Sequence, residues 1–212
     1  MKKIIYILLT CEKYQNRQDN VLKTWGQNKN VFFYSEHEDK SRNVIKVCDE
    51  NLSDYGSITL KQKFIFEKLE ELFYNDYEWF FFGDDDTFVN TSLLESDLDT
   101  FDKTKVIGLD YSMYWNGVTY ASGGAGMVIN REIISKFFKY NEGPFGCGGE
   151  KYPDITFGYN MQFNNVLLDS SPLFNGEHPT HYGVSLDNCK TQYTYHRIHT
   201  LEEMEYMNNL CQ

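Results

Sequence analysis

The sequence contains no long hydrophobic run and few residues that break regular structure. No apolar stretch reaches the roughly 18 residues that a membrane-spanning helix needs, so no transmembrane segment is predicted. Only 4 of the 212 residues are proline and 15 are glycine, which excludes a collagen-like or low-complexity chain. Aromatic residues, by contrast, make up 17% of the chain. That content of bulky rings predicts a folded core, and the length suits one domain over residues 1–212.

Positive charge is also scarce. Lys and Arg total 20 against 31 Asp and Glu, which gives a net charge of −11. General electrostatics therefore oppose binding to nucleic acid or to anionic lipid. An anionic substrate would need a local source of positive charge, such as an arginine, a helix N-terminus or a metal ion.

Cysteines are few, and none forms a Cys-x-x-Cys pair. Their odd number and their spacing argue against a zinc site. We expect reduced and mostly buried thiols, although the sequence is compatible with one or two disulfides. The five cysteines are Cys11, Cys48, Cys147, Cys189 and Cys211.

The N-terminus permits two interpretations. Two lysines followed by the apolar residues 4–9 resemble the start of a signal peptide. The apolar run is short, however, and Glu12 and Lys13 follow where small residues should mark a cleavage site. A buried strand over residues 4–9 explains the pattern better.

Strand and helix patterns alternate along the first 110 residues. The predicted strands are 4–9, 31–35, 44–48, 78–83 and 105–109. The predicted helices are 16–25, a long amphipathic helix that begins near Ser57 or Thr59, one capped by Asn130, 156–168, and a C-terminal helix capped by Thr200 and Glu203. This alternation predicts an α/β domain with a mostly parallel, twisted sheet and helices on both faces.

Three consecutive carboxylates, Asp84, Asp85 and Asp86, form the strongest local signal. They directly follow the apolar residues 79–82, so they are predicted at the carboxyl end of a buried strand, where open α/β sheets bind ligands. A hard cation such as Mg²⁺ or Mn²⁺ would relieve their mutual repulsion. The alternative is a solvated acidic turn. An EF-hand calcium loop is excluded, because its glycine and distal glutamate are absent.

Five segments together resemble the Fringe-like branch of the inverting β1,3-glycosyltransferases. Residues 82–89 (FGDDDTFV) resemble its DxD segment, and residues 10–25 (TCEKYQNRQDNVLKTW) resemble its opening strand end and helix. Residues 121–126 (ASGGAG), 153–159 (PDITFGY) and 171–174 (SPLF) resemble its later motifs, in the same order. The resemblance implies a GT-A fold, a UDP-sugar donor, a glycan or glycosylated acceptor, and a divalent cation, Mn²⁺ or Mg²⁺. It also implies that residues 1–110 bind the nucleotide and that residues 111–212 face the acceptor.

The resemblance assigns roles to the acidic triplet and to one histidine. Asp86 resembles the direct metal ligand, while Asp84 and Asp85 would hold the ribose or complete the metal shell. His196 lies in a strand-like alternation near the C-terminus, where the family places its metal histidine. The alternative is a partly buried histidine satisfied by a backbone carbonyl. The other histidines are His199, which is the second choice, and then His178, His181 and His37.

A catalytic base is implied at Asp154. An inverting transfer needs a carboxylate to accept the proton of the attacking hydroxyl, and Asp154 matches the family's base position. Many relatives have an acidic residue directly before it, where this chain has Pro153. The alternative role for Asp154 is an N-cap of the helix predicted at residues 156–168, and the two roles are compatible.

The remaining candidates concern donor binding. Thr10 and Arg17 resemble the family's nucleotide-binding residues, although Arg17 could instead lie on a solvated helix face. Gly123 and Gly124 could let backbone amides approach the donor, or could form a tight turn. Trp25 is predicted in the core. Aromatic residues at 111, 114 and 115 could stack on sugar rings or pack beneath their own loop.

Two other functions fit the same residues. An aspartate cluster with a histidine also suits a metal-dependent phosphohydrolase, and a catalytically dead glycan-binding module would retain the fold. No residue selects among UDP-GlcNAc, UDP-Gal and UDP-Glc as donor. The chain lacks the membrane anchor and stem of Fringe enzymes, and residues 175–178 depart from their pattern. We therefore expect a soluble, cytoplasmic enzyme with a different acceptor.

Overall fold

A seven-stranded sheet forms the centre of the fold. The computed structural model describes residues 2–48, 57–112, 117–140 and 152–212. The strands of the sheet are β1 Lys2–Leu9, β2 Val31–Ser35, β3 Val44–Lys46, β4 Tyr77–Asp84, β6 Lys105–Gly108, β7 Met127–Asn130 and β8 Leu167–Ser170. Two shorter strands, β5 Phe88–Val89 and β9 Thr194–Tyr195, pair with each other in a separate ladder.

The sheet is mostly parallel, as predicted. Its strand order is β3-β2-β1-β4-β7-β6-β8. The β1–β2, β1–β4, β2–β3 and β6–β8 pairs are parallel. Among these described strands, only β7 runs against its neighbours, β4 and β6. The carboxyl ends of β1, β2 and β4 therefore meet at one edge, which is the edge that sequence reasoning assigned to ligand binding.

Helices cover both faces of the sheet. Alternate residues of β1 point to opposite faces, so that Tyr6 and Leu8 pack in one apolar cluster and Ile5 and Ile7 in the other. The first cluster includes residues of α1, α3 and α6, and the second includes residues of α2, α4 and α5. The helices are α1 Gln15–Lys23, α2 Ile58–Leu72, α3 Thr91–Asp97, α4 Arg131–Ile134, α5 Pro153–Phe163 and α6 Leu201–Cys211.

Side-chain caps set two helix starts that the sequence predicted. The Asn130 side chain accepts a hydrogen bond from the N–H of Glu132 at the start of α4. The Thr200 hydroxyl accepts one from the N–H of Glu203 at the start of α6. Both bonds satisfy a backbone donor that the first helical turn would otherwise leave unpaired. Ser57 directly precedes α2, which confirms the predicted start of the long helix, but its side chain makes no capping hydrogen bond.

The helix predicted at residues 156–168 is wrong at both ends. It begins at Pro153, whose fixed φ and missing N–H suit the first helical turn. It ends at Phe163, and Asn165 then adopts a left-handed backbone with φ of 52°. Residues 167–170 form β8, not helix. The predicted capping role of Asp154 is also wrong, because Tyr152 is the N-cap residue and Asp154 lies inside the first turn.

The N-terminal segment is a buried strand, as predicted. Ile5 and Ile7 on β1 are fully buried between β2 and β4. Trp25 also lies in the core. The thiols of Cys11, Cys189 and Cys211 are free in the part of the chain that the structure describes. Cys48 is buried, and Cys147 lies outside the described residues.

Among the described residues, no helix has the length and apolar character that crossing a membrane requires.

Candidate active site

A cleft of about 540 Å³ opens at the carboxyl edge of the sheet. Its walls come from distant parts of the sequence. The N-terminal part contributes Thr10, Arg17 and residues 84–86, and the C-terminal part contributes Asp154 and His196. Every residue that the sequence placed in the site therefore lies around one cavity, together with Gly123 and Gly124.

The acidic triplet lies where β4 leaves the sheet. Asp84 is the last residue of β4, and the N–H of Asp85 continues the ladder by donating to the carbonyl of Leu9 at 3.1 Å. The chain then turns, and the N–H of Thr87 donates to the carbonyl of Asp84 at 3.1 Å. The turn separates the three carboxylates: the side chain of Asp84 is one-third exposed, whereas Asp85 and Asp86 are buried.

The small β5–β9 ladder carries His196 to the triplet. Phe88 pairs with Tyr195, so the residue after β9 comes close to the residues before β5. The N–H of Ile198 donates to the carbonyl of Asp86 at 2.9 Å, and the N–H of His196 donates to the carbonyl of Asn175 at 3.1 Å. Between these anchors, Arg197 has a left-handed backbone with φ of 63°, which is uncommon for a residue other than glycine.

Asp84, Asp86 and His196 form a group that could hold a metal ion. One ligand atom from each lies within 4.8 Å of the other two. The His196 Nε2 atom is 3.4 Å from Asp84 Oδ2 and 3.1 Å from Asp86 Oδ1. Two carboxylate oxygens and one imidazole nitrogen suit Mn²⁺, and the carboxylates suit Mg²⁺. The metal group predicted from the sequence is therefore assembled in space.

The electrostatics of this group are those of closely packed opposite charges. Burial lowers the pKa of His196, but the hydrogen bonds and charges of Asp84 and Asp86 outweigh it and raise that pKa to about 10. Burial likewise raises the pKa of Asp86, yet His196 and Arg17 bring it below its usual value. A protonated His196 thus partly neutralises the carboxylates in the protein alone.

His199, the second choice from the sequence, lies against the same carboxylate. Its Nε2 atom is 3.0 Å from Asp86 Oδ2, and its side chain is half exposed. The other histidines make contacts elsewhere. His178 contacts Glu203 at 3.2 Å, His37 contacts the hydroxyl of Ser35 at 3.0 Å, and the ring of His181 lies edge-to-face against that of Tyr182.

Asp85 is not part of the metal group and is held by Thr10, directly after β1, and by Arg17 on α1. The Thr10 hydroxyl donates to Asp85 Oδ2 at 2.6 Å. Arg17 donates to Asp85 Oδ1 at 3.3 Å and to Asp86 Oδ2 at 2.9 Å, and its guanidinium lies over the ring of Tyr14. Burial raises the pKa of Asp85 to about 7 in spite of Thr10 and Arg17. Arg17 therefore does not lie on a solvated helix face. Contacts of Thr10, Arg17 and Asp85 with a donor stay a prediction.

Asp154 lies in the first turn of α5 and lines the cleft. The backbone N–H of Gly123 donates to its carboxylate, which lowers its pKa. Burial has the larger effect, and with the nearby charge of Asp84 it raises the pKa of Asp154 to about 7. A half-buried carboxylate with that pKa can accept a proton near neutral pH.

The two glycines in the middle of the chain leave space for site side chains. A Cβ atom on Gly123 would lie 2.6 Å from Asp154 Oδ1. A Cβ atom on Gly124 would overlap the imidazole of His196. Glycine is therefore required here by Asp154 and His196. This steric reason is additional to the one predicted from the sequence, the close approach of backbone amides to the donor.

Sequence reasoning missed several residues of the cleft. Lys61 lines the cleft and forms an ion pair with Glu36, which does not line it; their side chains are 2% and 4% exposed. Burial raises the pKa of Tyr34 well above its usual value, and the charges of Asp84 and Asp154 raise it further, which places the phenol near both. Glu36 follows directly on a strand end, and that position was the available signal. Of the aromatic loop, Tyr111 lines the cleft, and residues 114 and 115 lie outside the described residues.

Solved structures that share this fold are glycosyltransferases. The chain matches a glycosyltransferase involved in the glycosylation of the major capsid of PBCV-1 with a TM-score of 0.58, at 15% identity, over 97% of this chain and 98% of that one. It matches the glycosyltransferase GlyE of Streptococcus pneumoniae TIGR4 with a TM-score of 0.51, at 14% identity, over 86% of this chain and 49% of that one. The fold is therefore of the GT-A class.

The sequence comparison identifies the family within that class. The model of the family described as Fringe-like matches residues 1–195, and the chain belongs to this family. The curated relatives include a β1,3-glucosyltransferase of Mus musculus, 27% identical over 188 residues, and one of Homo sapiens, 24% identical over 204 residues. The matches cover 85% and 92% of this chain.

The chain spans only about two fifths of the length of those relatives, since the matches cover 37% and 40% of them. Their activity therefore belongs to longer proteins. The predicted cytoplasmic location has no support in these comparisons and stays a prediction.

Proposed function

We propose that this chain is a metal-dependent inverting β1,3-glycosyltransferase that moves a sugar from a UDP-sugar to a hydroxyl of a glycan or a glycosylated acceptor. One observation carries the proposal: a single cleft holds both the metal-ligand group of Asp84, Asp86 and His196 and the separate carboxylate of Asp154. These are the two components that a single-displacement transfer needs, a site for the leaving diphosphate and a base for the acceptor.

The donor would lie on the side of the cleft formed by the ends of β1 and β4. A divalent cation, Mn²⁺ or Mg²⁺, held by Asp84, Asp86 and His196 would neutralise the charge of the departing diphosphate. The nucleotide side of the cleft would consist of Thr10, Arg17 and Asp85. Because the net charge of the chain is −11, an anionic donor needs a local positive charge, and Arg17 would supply it. Backbone amides near Gly123 and Gly124 would face the sugar.

Asp154 would act as the base. Its carboxylate accepts the proton of the acceptor hydroxyl while that oxygen forms a bond to the anomeric carbon. The bond from this carbon to the diphosphate oxygen breaks at the same time, so the configuration at the anomeric carbon inverts. A pKa near 7 leaves a large fraction of Asp154 ionised at neutral pH while keeping it basic enough to accept a proton.

The sugar is the least constrained part of the proposal. Because the relatives from mouse and human are named β1,3-glucosyltransferases, UDP-Glc is the first donor to test, followed by UDP-Gal and UDP-GlcNAc. The assay measures UDP release with Mn²⁺, with and without simple glycoside acceptors. We expect release with one donor, and loss of that release when the cation is removed with a chelator.

Matched variants complete the test. Asp86→Asn should lower turnover on the order of 100-fold or more, whereas Asp99→Asn should leave it unchanged, because Asp99 is an exposed partner of Lys3. The proposal is wrong if no UDP-sugar binds with or without metal. Phosphate release from simple phosphate esters would indicate a phosphohydrolase instead, and glycan binding without UDP release would indicate a dead binding module.

A further inference from the structure

A buried ion pair lies directly beneath the nucleotide side of the cleft and has no role in the proposed transfer. Lys61 comes from the first turn of α2, and Glu36 follows β2. Their side chains are only 2% and 4% exposed. Lysine and glutamate are almost never buried to this extent unless they are paired, and a buried pair is often no more stabilising than an apolar pair of the same size.

The carboxylate of Glu36 is fully engaged by hydrogen bonds. Its Oε1 atom accepts from the backbone N–H of Glu12 at 3.0 Å. Its Oε2 atom accepts from Lys61 and from the hydroxyl of Ser35 at 2.7 Å. Glu36 thus connects the end of β2 and the start of α2 to the turn that follows β1.

Lys61 also contacts the turn that follows β1. Its Nζ atom donates to the backbone carbonyl of Thr10 at 3.3 Å. The ion pair therefore binds residues 10–12 at two points, the carbonyl of Thr10 and the N–H of Glu12. An ion pair that only joined β2 to α2 would not need contacts with this turn. The contacts with residues 10–12 therefore point to a role in holding the turn.

The turn transmits this constraint to the acidic triplet. The hydroxyl of Thr10 donates to Asp85 at 2.6 Å and accepts from the side-chain amide of Gln18 at 2.9 Å. Asp85 in turn shares Arg17 with Asp86. Thr10 therefore links the ion pair to the acidic triplet: Lys61 bonds its backbone carbonyl, and its side chain bonds Asp85.

We propose that Lys61 and Glu36 are positioning residues that hold the turn of residues 10–12 in place and so preorganise the nucleotide side of the cleft for a nucleoside diphosphate sugar. The inference rests on the proposed function. The proposal gives the ion pair a role other than stabilising the fold. A site that is already ordered before the donor arrives loses less conformational entropy when the donor binds.

A double variant separates positioning from stability. Lys61→Met or Glu36→Gln alone leaves one buried charge without its partner, and both should lower the melting temperature clearly. The double variant Lys61→Met/Glu36→Gln contains neither charge, and its melting temperature should return close to that of the wild type. If the pair positions the turn, the KM for the UDP-sugar and the Kd for UDP with Mn²⁺ should still rise about 10-fold or more. The KM for the acceptor should stay unchanged.

The control is an ion pair of the same types on the surface. Lys103 and Glu78 lie 2.7 Å apart, are partly exposed and do not line the cleft. Lys103→Met/Glu78→Gln should change neither KM. A second route covers the case in which the Lys61 variants fold poorly: Ser35→Ala keeps the ion pair but removes the hydrogen bond from the Ser35 hydroxyl to Glu36 Oε2, and it should raise the donor KM by a smaller factor while the acceptor KM stays unchanged.

The outcomes distinguish this inference from the proposed function. A double variant with a wild-type KM and Kd for the donor overturns the positioning role alone, and so does a Ser35→Ala variant with both values unchanged where the double variant does not fold. A wild-type protein that binds neither UDP nor a UDP-sugar overturns the proposed function, and the inference with it. A raised donor KM in the double variant at a restored melting temperature supports both.

Discussion

At the scale of single residues, Gly124 determines whether His196 can reach the metal group. A methyl group on Gly124 would occupy the space of the imidazole. We therefore expect Gly124→Ala to weaken Mn²⁺ binding on the order of 10- to 100-fold, as measured by titration calorimetry, because the imidazole must turn away from Asp84 and Asp86.

A second glycine provides the control for that prediction. Gly183 has a left-handed backbone with φ of 70° but open space around its Cα. Gly183→Ala should lower stability by about 1 kcal/mol and should leave Mn²⁺ affinity unchanged. Equal Mn²⁺ affinity in the wild type and Gly124→Ala would show that the imidazole of His196 does not contribute to cation binding.

Ionisation of Asp154 is predicted to lower the free energy of unfolding, although the ionised form is the one that would act as the base. Its pKa is about 7 in the folded protein and near 3.8 when unfolded. Folding therefore favours the protonated form, and stability falls as the pH rises from about 4 through 7. Asp154→Asn should abolish transfer, by roughly 10² to 10⁴-fold, retain UDP binding, and raise the melting temperature.

The pH dependence of that gain is the decisive measurement. The increase in melting temperature of Asp154→Asn should be larger at about pH 8 than at about pH 5, since only the ionised wild-type carboxylate is penalised. Thermal unfolding at both pH values checks this. A gain of the same size at both would mean that burial does not raise the pKa of Asp154.

The sequence carried enough information to name candidate site residues that lie far apart in the chain. Asp84, Asp86, His196 and Asp154 were each named from motifs, and the structure brings them to one cleft. The partners of Asp85 could not be found in this way. The hydrogen bonds from Thr10 and Arg17 depend on how β1 and α1 approach β4, and no pattern within one segment specifies that approach.

At the scale of elements, the cap of α6 provides a clean test of local stabilisation. The Thr200 hydroxyl accepts from the N–H of Glu203 at 3.2 Å and donates to its carboxylate at 2.8 Å. Thr200→Ala should cost about 1 kcal/mol, which corresponds to a decrease in melting temperature of about 2–4 °C for a chain of this length.

Thr200→Ser is the matched control, because it keeps the hydroxyl and should retain most of the stability. The structure describes all of α6, and no residue of this helix lines the cleft, so the KM values of Thr200→Ala should equal those of the wild type. A decrease in activity larger than the decrease in folded protein would indicate that α6 supports the site directly.

The strands of the first 110 residues were mostly predictable, and several short strands were not. The pattern of β2 gave its bounds correctly, and β1 and β4 were found to within two residues. β3 and β6 were predicted with the correct start and ends one or two residues too late, and the strand-like alternation around His196 includes β9. β5, β7 and β8 were missed, because two to four residues contain little alternation. The antiparallel direction of β7 could not be predicted either, since it depends on pairing with β4 and β6.

At the scale of the whole molecule, cation binding should stabilise the fold in a pH-dependent way. Protonated His196 contributes stability that is fully present below about pH 6.5 and is lost as the pH rises through about 10. A cation must displace that proton, and the displacement becomes easier as the pH rises. The increase in melting temperature caused by Mn²⁺ should therefore be larger at about pH 8.5 than at about pH 6.5.

The size of the effect follows from mass action. Mn²⁺ at about 100 times its Kd should add about 2.7 kcal/mol to the free energy of unfolding. His196→Gln removes the titrating ligand, and its smaller shift should not vary with pH in this way. Equal shifts in the wild type at both pH values would contradict the assignment of His196 to the metal group.

The β5–β9 ladder has a consequence for how the protein matures during synthesis. The residues of this region come from distant parts of the sequence; Asp86 and His199, for example, are 113 residues apart. The imidazole of His196 reaches the triplet only after β9 has paired with β5. Domains fold as units while the ribosome extends the chain. The strands up to β8 can be translated and begin to pair while this group is still incomplete, so the group of Asp84, Asp86 and His196 is assembled only after β9 has been translated.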